Sequence, residues 1–284
     1  MLSVLKPVLE KINSHKRDAD IQFIEEGHKY IIIPDPTNKY TSVTTWNHSH
    51  FPEFDADKII KSMMKGRGWK DGHKYWGLSP EAIKLQWSTN AANVSGAGTD
   101  LHYEIECFMN ECELDPGYSH KELYEHYLAN TKPCERESKP LEWEYFIHFI
   151  RDTPNLKPYR TEWIIYHEDV KIAGSIDMLY ENPDGSLSIY DWKRSKEITK
   201  VNMWDKFANT QSISQMPDSN FWHYALQLNT YKTILEAKYD KIVKDLYLVR
   251  LHPNAVEKTY ELLKVPDLSS DITELFDQRL KQIK

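Results

Sequence analysis

The sequence predicts a mixed α/β (α+β) fold in which a central mixed β-sheet carries helices on both faces. Three observations predict it. Apolar periodicity runs through helices first, then three strands, a helix, two strands and a closing helix. Ile172, Ile176, Met178-Leu179-Tyr180 and then Leu187, Ile189 and Tyr190 form a hairpin around Asn182-Pro183-Asp184-Gly185. There proline presets φ and glycine admits a positive one. Residues 221–239 place Leu226, Leu228, Ile234 and Leu235 in a helical pattern between hairpin and final strands.

In chain order, residues 2–13 read as a helix, followed by strands at Ile21–Ile24 and 29–33 that end at Pro34-Asp35-Pro36. Residues 40–45 (Tyr-Thr-Ser-Val-Thr-Thr) are β-branched and expected to be extended. A helix over 55–65 starts at an Asp55 cap and lines up Ile59, Ile60, Met63 and Met64. Lys61, Lys65, Arg67, Lys70 and Lys74 then interleave with Trp69, Tyr75 and Trp76. This tract reads as a solvated helix end and loop, or as a lip where phosphates meet lysines and bases stack on rings. Ser79-Pro80-Glu81 opens another helix. Ser95-Gly96-Ala97-Gly98-Thr99 is expected to break it before a helix over 100–110, where His102 and Glu106 are four apart and share a face. Helices continue to residue 130, and one over 137–150 turns Trp143, Phe146, Phe149 and Ile150 inward.

A strand over 159–167 leads into the hairpin at 170–191. The polar stretch 195–220 is a connection long enough to suggest function or mobility. It reads as an arch or flap for a single strand, or as a surface loop. After the 221–239 helix come strands at 241–251 and 256–265 and a helix at 271–284. The expected division is an N-terminal lobe at 1–95 on a core at 96–284.

Composition narrows the class. With 284 residues, 40% hydrophobic and 28% charged, the chain can bury a substantial core. Cys107, Cys112 and Cys134 are too few and too irregular for a disulfide framework or a four-thiolate iron–sulfur cluster. An intracellular, reducing compartment is therefore expected, with no iron–sulfur centre. The start lacks a basic n-region and a long h-region, and no run of 18 apolar residues occurs, so neither a leader nor a membrane span is expected. The net charge of −7 excludes a uniformly basic surface but not a local basic groove.

The chemistry concentrates in the hairpin. Asp177 sits mid-strand, and Asp191 and Lys193 end the second strand with side chains on one face. A carboxylate on a core strand is costly unless it is paired or binds a metal. Asp177 and Asp191 can meet across the turn, and hard oxygen ligands suit Mg²⁺ or Mn²⁺. The alternative is an exposed hairpin end where Asp191 and Lys193 merely pair, worth under about 1 kcal/mol.

Four segments together resemble the PD-(D/E)xK nuclease superfamily, and within it the RecB-type exonuclease clan. Gly98-Thr99-Asp100-Leu101-His102 with Ile105-Glu106 resembles the helix that supplies a metal-binding histidine. Gly174-Ser175-Ile176-Asp177 resembles the strand with the first acidic ligand, and Asp191-Trp192-Lys193 the D/E-x-K strand. Gln227-Leu228-Asn229-Thr230-Tyr231 resembles the Gln-x3-Tyr helix of the clan, and Ser42-Val43-Thr44 an SVT segment of its mitochondrial members. No proline precedes Asp177, and the second acid is aspartate.

The resemblance implies a restriction-endonuclease-like core with a helical N-terminal part. It implies His102, Asp177, Asp191 and the Trp192 carbonyl as ligands of two Mg²⁺ or Mn²⁺ ions, with Lys193 catalytic and Glu162 a further acid. Gln227 and Tyr231 would hold DNA or brace the site, and Arg194 and Lys196 would meet DNA. The implied activity is a metal-dependent DNA exonuclease acting on single strands or ends in replication, repair or recombination. A helicase, polymerase or recombinase would be its protein partner, since no G-x4-GK[ST] loop marks a motor in this chain. The alternatives are a catalytically silent nuclease-fold scaffold and a structure-specific endonuclease.

Overall fold

The computed structural model describes residues 7–111 and 113–283. It opens with α1 (Val8–Ile12); residues 2–6 of the expected first helix, with Cys112 and Lys284, lie outside the described residues. β1 (Ile21–Ile24) and β2 (Lys29–Ile32) pair as an antiparallel hairpin. β3 (Thr41–Ser42) is brief, because the Ser42 hydroxyl accepts from the Thr45 N–H at 3.1 Å and starts α2 (Val43–His48). The extended run expected at 40–45 is thus corrected to a strand end and a helix. A serine cap is worth about 1 kcal/mol and outweighs the few tenths by which β-branched residues disfavour a helix. Burial of Val43 and Trp46 adds to it.

α3 (Ala56–Lys65) follows its Asp55 cap, as expected. α4 (Pro80–Met109) runs unbroken through Gly96 and Gly98, where a break was expected. Each glycine costs about 1 kcal/mol against alanine, which weakens a helix without ending it. No proline follows them to force a stop. α5 (His120–Asn130), α6 (Pro133–Glu137) and α7 (Leu141–Asp152) come next. The last two replace the single helix expected over 137–150. Lys139 precedes Pro140, and a residue before proline avoids the helical region.

β4 (Lys157–His167), β5 (Ile172–Glu181) and β6 (Leu187–Lys193) are followed by α8 (Asn220–Lys238), β7 (Val243–Arg250), β8 (Glu261–Lys264) and α9 (Ser269–Ile283). The main sheet is mixed, as predicted. β4 runs antiparallel along one edge of β5, and the other edge is shared by β3, parallel at Ile172 and Ala173, and β6, antiparallel from Met178 to Glu181. β7 lies parallel to β6 after the α8 crossover, and β8 closes antiparallel.

Alternation along β6 assigns the two faces. Leu187 and Ile189 join Leu226, Leu228 and Leu235 of α8 in the main core. Tyr190 and Trp192 turn the other way, their rings 5.9 and 5.6 Å from Phe149 of α7. Helices therefore cover both faces.

The stretch 195–220 is tied down rather than free. Trp222 Nε1 donates to the Lys200 carbonyl at 3.0 Å, Asn209 N to the His50 carbonyl at 2.7 Å, and Ala208 N to Met216 at 2.9 Å. Met203 and Trp204 within it are exposed.

The chain divides into two compact units, Met1–Pro52 with His102–Lys284, and Glu53–Leu101. Residues 7–52 go with the sheet, rather than with a lobe ending at residue 95, because β3 pairs with β5 and Val43 and Trp46 enter the main core.

Candidate active site

The site forms where β5 and β6 part. Their ladder ends at Met178 opposite Tyr190, so the next position would set Asp177 beside Asp191. The Trp192 N–H donates instead to Asp177 Oδ2 at 3.0 Å. A side chain has replaced a strand partner, and among the described residues no strand pairs with 174–177 of β5 on that edge.

Three ligand-type side chains converge there. One atom each of His102, Glu162 and Asp177 lies within 4.8 Å of the others. His102 comes from α4, Glu162 from β4 and Asp177 from β5. His102 Nε2 is 3.0 Å from the Trp192 carbonyl, which can only accept, so Nε2 carries the proton. Nδ1 then points at Asp177 Oδ2, 3.6 Å away, and Glu162 Oε1, 3.9 Å away, both beyond a hydrogen bond. Glu162 takes a hydrogen bond from Ser175 Oγ at 2.9 Å. Its φ of 43° is left-handed, an uncommon conformation for a non-glycine residue and one found at ligand clamps.

Asp191 and Lys193 share a face, as the two-residue spacing required. Lys193 Nζ is 2.5 Å from Asp191 Oδ2 and lies over the Tyr224 ring at 4.5 Å. Asp191 is 1% exposed, and its Oδ1 finds no hydrogen-bond donor among the described residues. Such an orphaned buried carboxylate oxygen is expensive.

The electrostatics follow from this crowding. Burial, with the Asp177 charge, pushes the Glu162 carboxyl up to about 8. Burial and Asp177 also raise Asp191, to about 6, while Lys193 pulls it back. Burial opposes the charge on Lys193, yet Asp191 and Asp177 hold its ammonium above the usual lysine range. The carboxylates of Glu162 and Asp177 and the imidazole lone pair of His102 around one spot, with the orphaned oxygen of Asp191 on the neighbouring strand, fit a hard divalent cation.

Gln227 and Tyr231 stand behind this centre. Gln227 Nε2 donates to Tyr231 Oη at 3.2 Å, and both residues are buried. A Cβ on Gly174 would come within 2.8 Å of Tyr231 Cε1 and 3.0 Å of Val43 Cγ2, so only glycine fits beneath the ring. Arg194 Nη2 reaches Glu142 Oε1 at 2.7 Å and is engaged within the protein. Lys196 is exposed.

Residues 108–284, more than half of the chain, match the sequence model of the PD-(D/E)XK nuclease superfamily. The chain belongs to that superfamily. Asp177, Asp191 and Lys193 fall within the matched stretch, and His102 lies before it. A search of curated proteins finds no match. Among solved structures the chain is similar to a candidate exonuclease from Eubacterium rectale, with 13% identity, a TM-score of 0.40 and coverage of 86% of this chain and 79% of that one. It is also similar to an alkaline exonuclease, LHK-Exo, from Laribacter hongkongensis, with 15% identity, a TM-score of 0.30 and coverage of 57% and 74%. Among the described residues no helix is long and apolar enough to cross a membrane.

Two contacts of this PD-(D/E)XK site escaped the sequence reading, Ser175 on Glu162 and Tyr224 under Lys193. A signal existed for each. Ser175 lies inside the Gly174–Asp177 motif, and Tyr224, Gln227 and Tyr231 are spaced i, i+3, i+7 along one helix face.

Proposed function

We propose that this nuclease-superfamily chain is a metal-dependent DNA exonuclease, acting on single strands or ends. The observation that carries the reading is the convergence of His102, Glu162 and Asp177 next to the paired Asp191 and Lys193. His102 Nδ1 and the carboxylates of Glu162, Asp177 and Asp191 are the groups that would hold Mg²⁺ or Mn²⁺, while the Trp192 carbonyl accepts from His102 Nε2 and orients the ring. The ion would supply Lewis-acid stabilisation of the charge that grows on a phosphate as its ester bond breaks.

The chain's own residues do the rest. Lys193, held as a cation, stabilises the same charge and orients the attacking water. Ser175 fixes Glu162, and the Trp192 N–H fixes Asp177, so both acids are set before a metal arrives. Gln227 and Tyr231, buried behind β5, act as braces. Lys196 is free to meet a phosphate, whereas Arg194 holds Glu142.

The exonuclease assignment rests on the resemblance of the Gln227–Tyr231 helix to the RecB-type clan. Linear and circular single-stranded DNA of equal length, incubated with the protein in Mn²⁺, test it. Loss of the linear form with the circle intact is expected; nicking of the circle would make the protein an endonuclease.

A further inference from the structure

Glu53–Leu101 is a compact unit with a character unlike the rest of the chain. It lies ahead of residues 108–284, so nothing in the family match assigns it a task. Between residues 58 and 76, Lys58, Lys61, Lys65, Arg67, Lys70 and Lys74 face one acid, Asp71, in a chain of net charge −7. None of those six cations has a carboxylate partner among the described residues, whereas Lys84 holds Asp57 at 2.7 Å. A cluster of unpaired cations is self-repelling and is relieved by a polyanion.

Aromatic rings accompany the charge. Trp69 and Trp76 lie 5.8 Å apart between centroids, Tyr75 and Trp87 6.0 Å, and Phe54 and Trp87 6.1 Å. Trp76 is 46% exposed and Phe54 70%. Lys74 Nζ sits 5.0 Å from the Tyr75 ring. Beside them opens a groove of about 520 Å³ lined by Lys74, Tyr75, Gln86, Trp87, Asn90 and Asn93. Gln86, Asn90 and Asn93 are spaced i, i+4, i+7 on one face of α4, and none of their side chains is hydrogen-bonded among the described residues.

An anionic lipid or an acidic protein would engage the lysines and leave the rings and carboxamides idle. An unpaired nucleotide uses all three. Its base has a face to stack on rings, an edge to bond carboxamides and a phosphate for lysine. A duplex hides the faces.

We propose that residues 53–101 hold single-stranded nucleic acid, with a base against Trp87 and Tyr75, its edge toward Gln86, Asn90 and Asn93, and its phosphates on Lys65, Lys70 and Lys74. This deepens the nuclease reading by naming an unpaired strand as what the protein grips, and the grip itself needs no metal.

The test is fluorescence anisotropy of labelled oligodeoxythymidine with the full chain in EDTA, as a function of salt. The combined Lys65→Glu, Lys70→Glu and Lys74→Glu variant changes exposed side chains that hold no carboxylate among the described residues, and circular dichroism checks its fold. It should bind at least about tenfold more weakly and lower the log–log salt slope by about 2, given roughly 0.7 per lost phosphate contact on a single strand. Trp87→Ala should lose about 5- to 100-fold with the slope unchanged, as expected of lost stacking. Equal binding by the triple variant, equal affinity for duplex, or tighter binding to phosphatidylserine vesicles than to the oligonucleotide would each overturn the proposal. Binding through these lysines without any cleavage in Mn²⁺ would leave it standing and sink the nuclease reading. Cleavage in Mn²⁺, with triple variant and wild type binding alike, would do the reverse.

Discussion

Tyr231 rests on Gly174 so closely that a Cβ there would stand 2.8 Å from its Cε1. The glycine of the first acidic motif and the tyrosine of the Gln–Tyr helix are therefore two halves of one contact, three residues before Asp177 on the strand. Gly174→Ala must push the ring or bend β5, at a cost of about 1–3 kcal/mol typical of overpacking. Thermal melting should show the loss, and cleavage should fall with it because Asp177 moves. Tyr231→Phe keeps the ring and gives up only the bond from Gln227, so it should lose about 1 kcal/mol. A Gly174→Ala protein as stable as wild type would show that the contact is loose.

Glu162 and Asp177 repel across the gap that a divalent cation would fill. In EDTA the folded-state carboxyl of Glu162 is raised above its unfolded value, so its contribution to stability is present below about pH 4.5 and lost as pH rises toward about 8. Glu162→Gln removes that repulsion. In EDTA at pH 9 it should melt higher than wild type, and calorimetry should show weaker Mn²⁺ binding. His102→Ala should weaken Mn²⁺ binding as well, without raising the melting temperature.

Arg194 was expected to meet DNA, but it holds Glu142, which is 8% exposed. Arg194→Ala leaves that carboxylate buried without its partner, a change that costs about 3–5 kcal/mol. Denaturant titration should find the loss in stability. Restoration by a second change, Glu142→Gln, would identify the charge as its source.

Acid should unfold the metal-free protein through buried histidines. Burial pushes His120 down to about 3 and His50 and His167 to about 4. Their folded values lie below the unfolded 6.5, so their stabilisation is complete above about pH 6.5 and drains away as pH falls toward 4. His120 is fully enclosed between Thr153 Oγ1 at 2.8 Å and Tyr180 Oη at 2.9 Å. Urea midpoints measured from pH 7 to 4.5 should fall steadily, and His120→Gln should flatten part of that fall.

The hairpin was readable in the sequence because its turn is chemical: Pro183 and Gly185 allow little else, and Asp191 and Lys193 follow by the two-residue period. The helix at 220–238 was readable from its apolar spacing. Other features depend on competition that a string of residues does not weigh. Ser42 as a cap turned a β-branched run into α2, and length on both sides carried α4 across Gly96 and Gly98. The parting of β5 and β6 at Met178 and Tyr190 arises from the Trp192 N–H choosing a side chain over a strand. The left-handed φ of Glu162 has no sequence signature at all, because glutamate rarely adopts it.

The central claim is that Asp191 and Lys193 form the reacting edge of a nuclease site. Its most direct measurement is release of nucleotides from end-labelled single-stranded DNA in Mn²⁺ by wild type, Asp191→Ala and Lys193→Ala, each checked for folding by circular dichroism. Wild type should release nucleotides steadily, release should cease in EDTA, and either folded variant should be slower by at least about 100-fold, near the scale for removing one charge-stabilising group. Folded variants that cut as fast as wild type would contradict it.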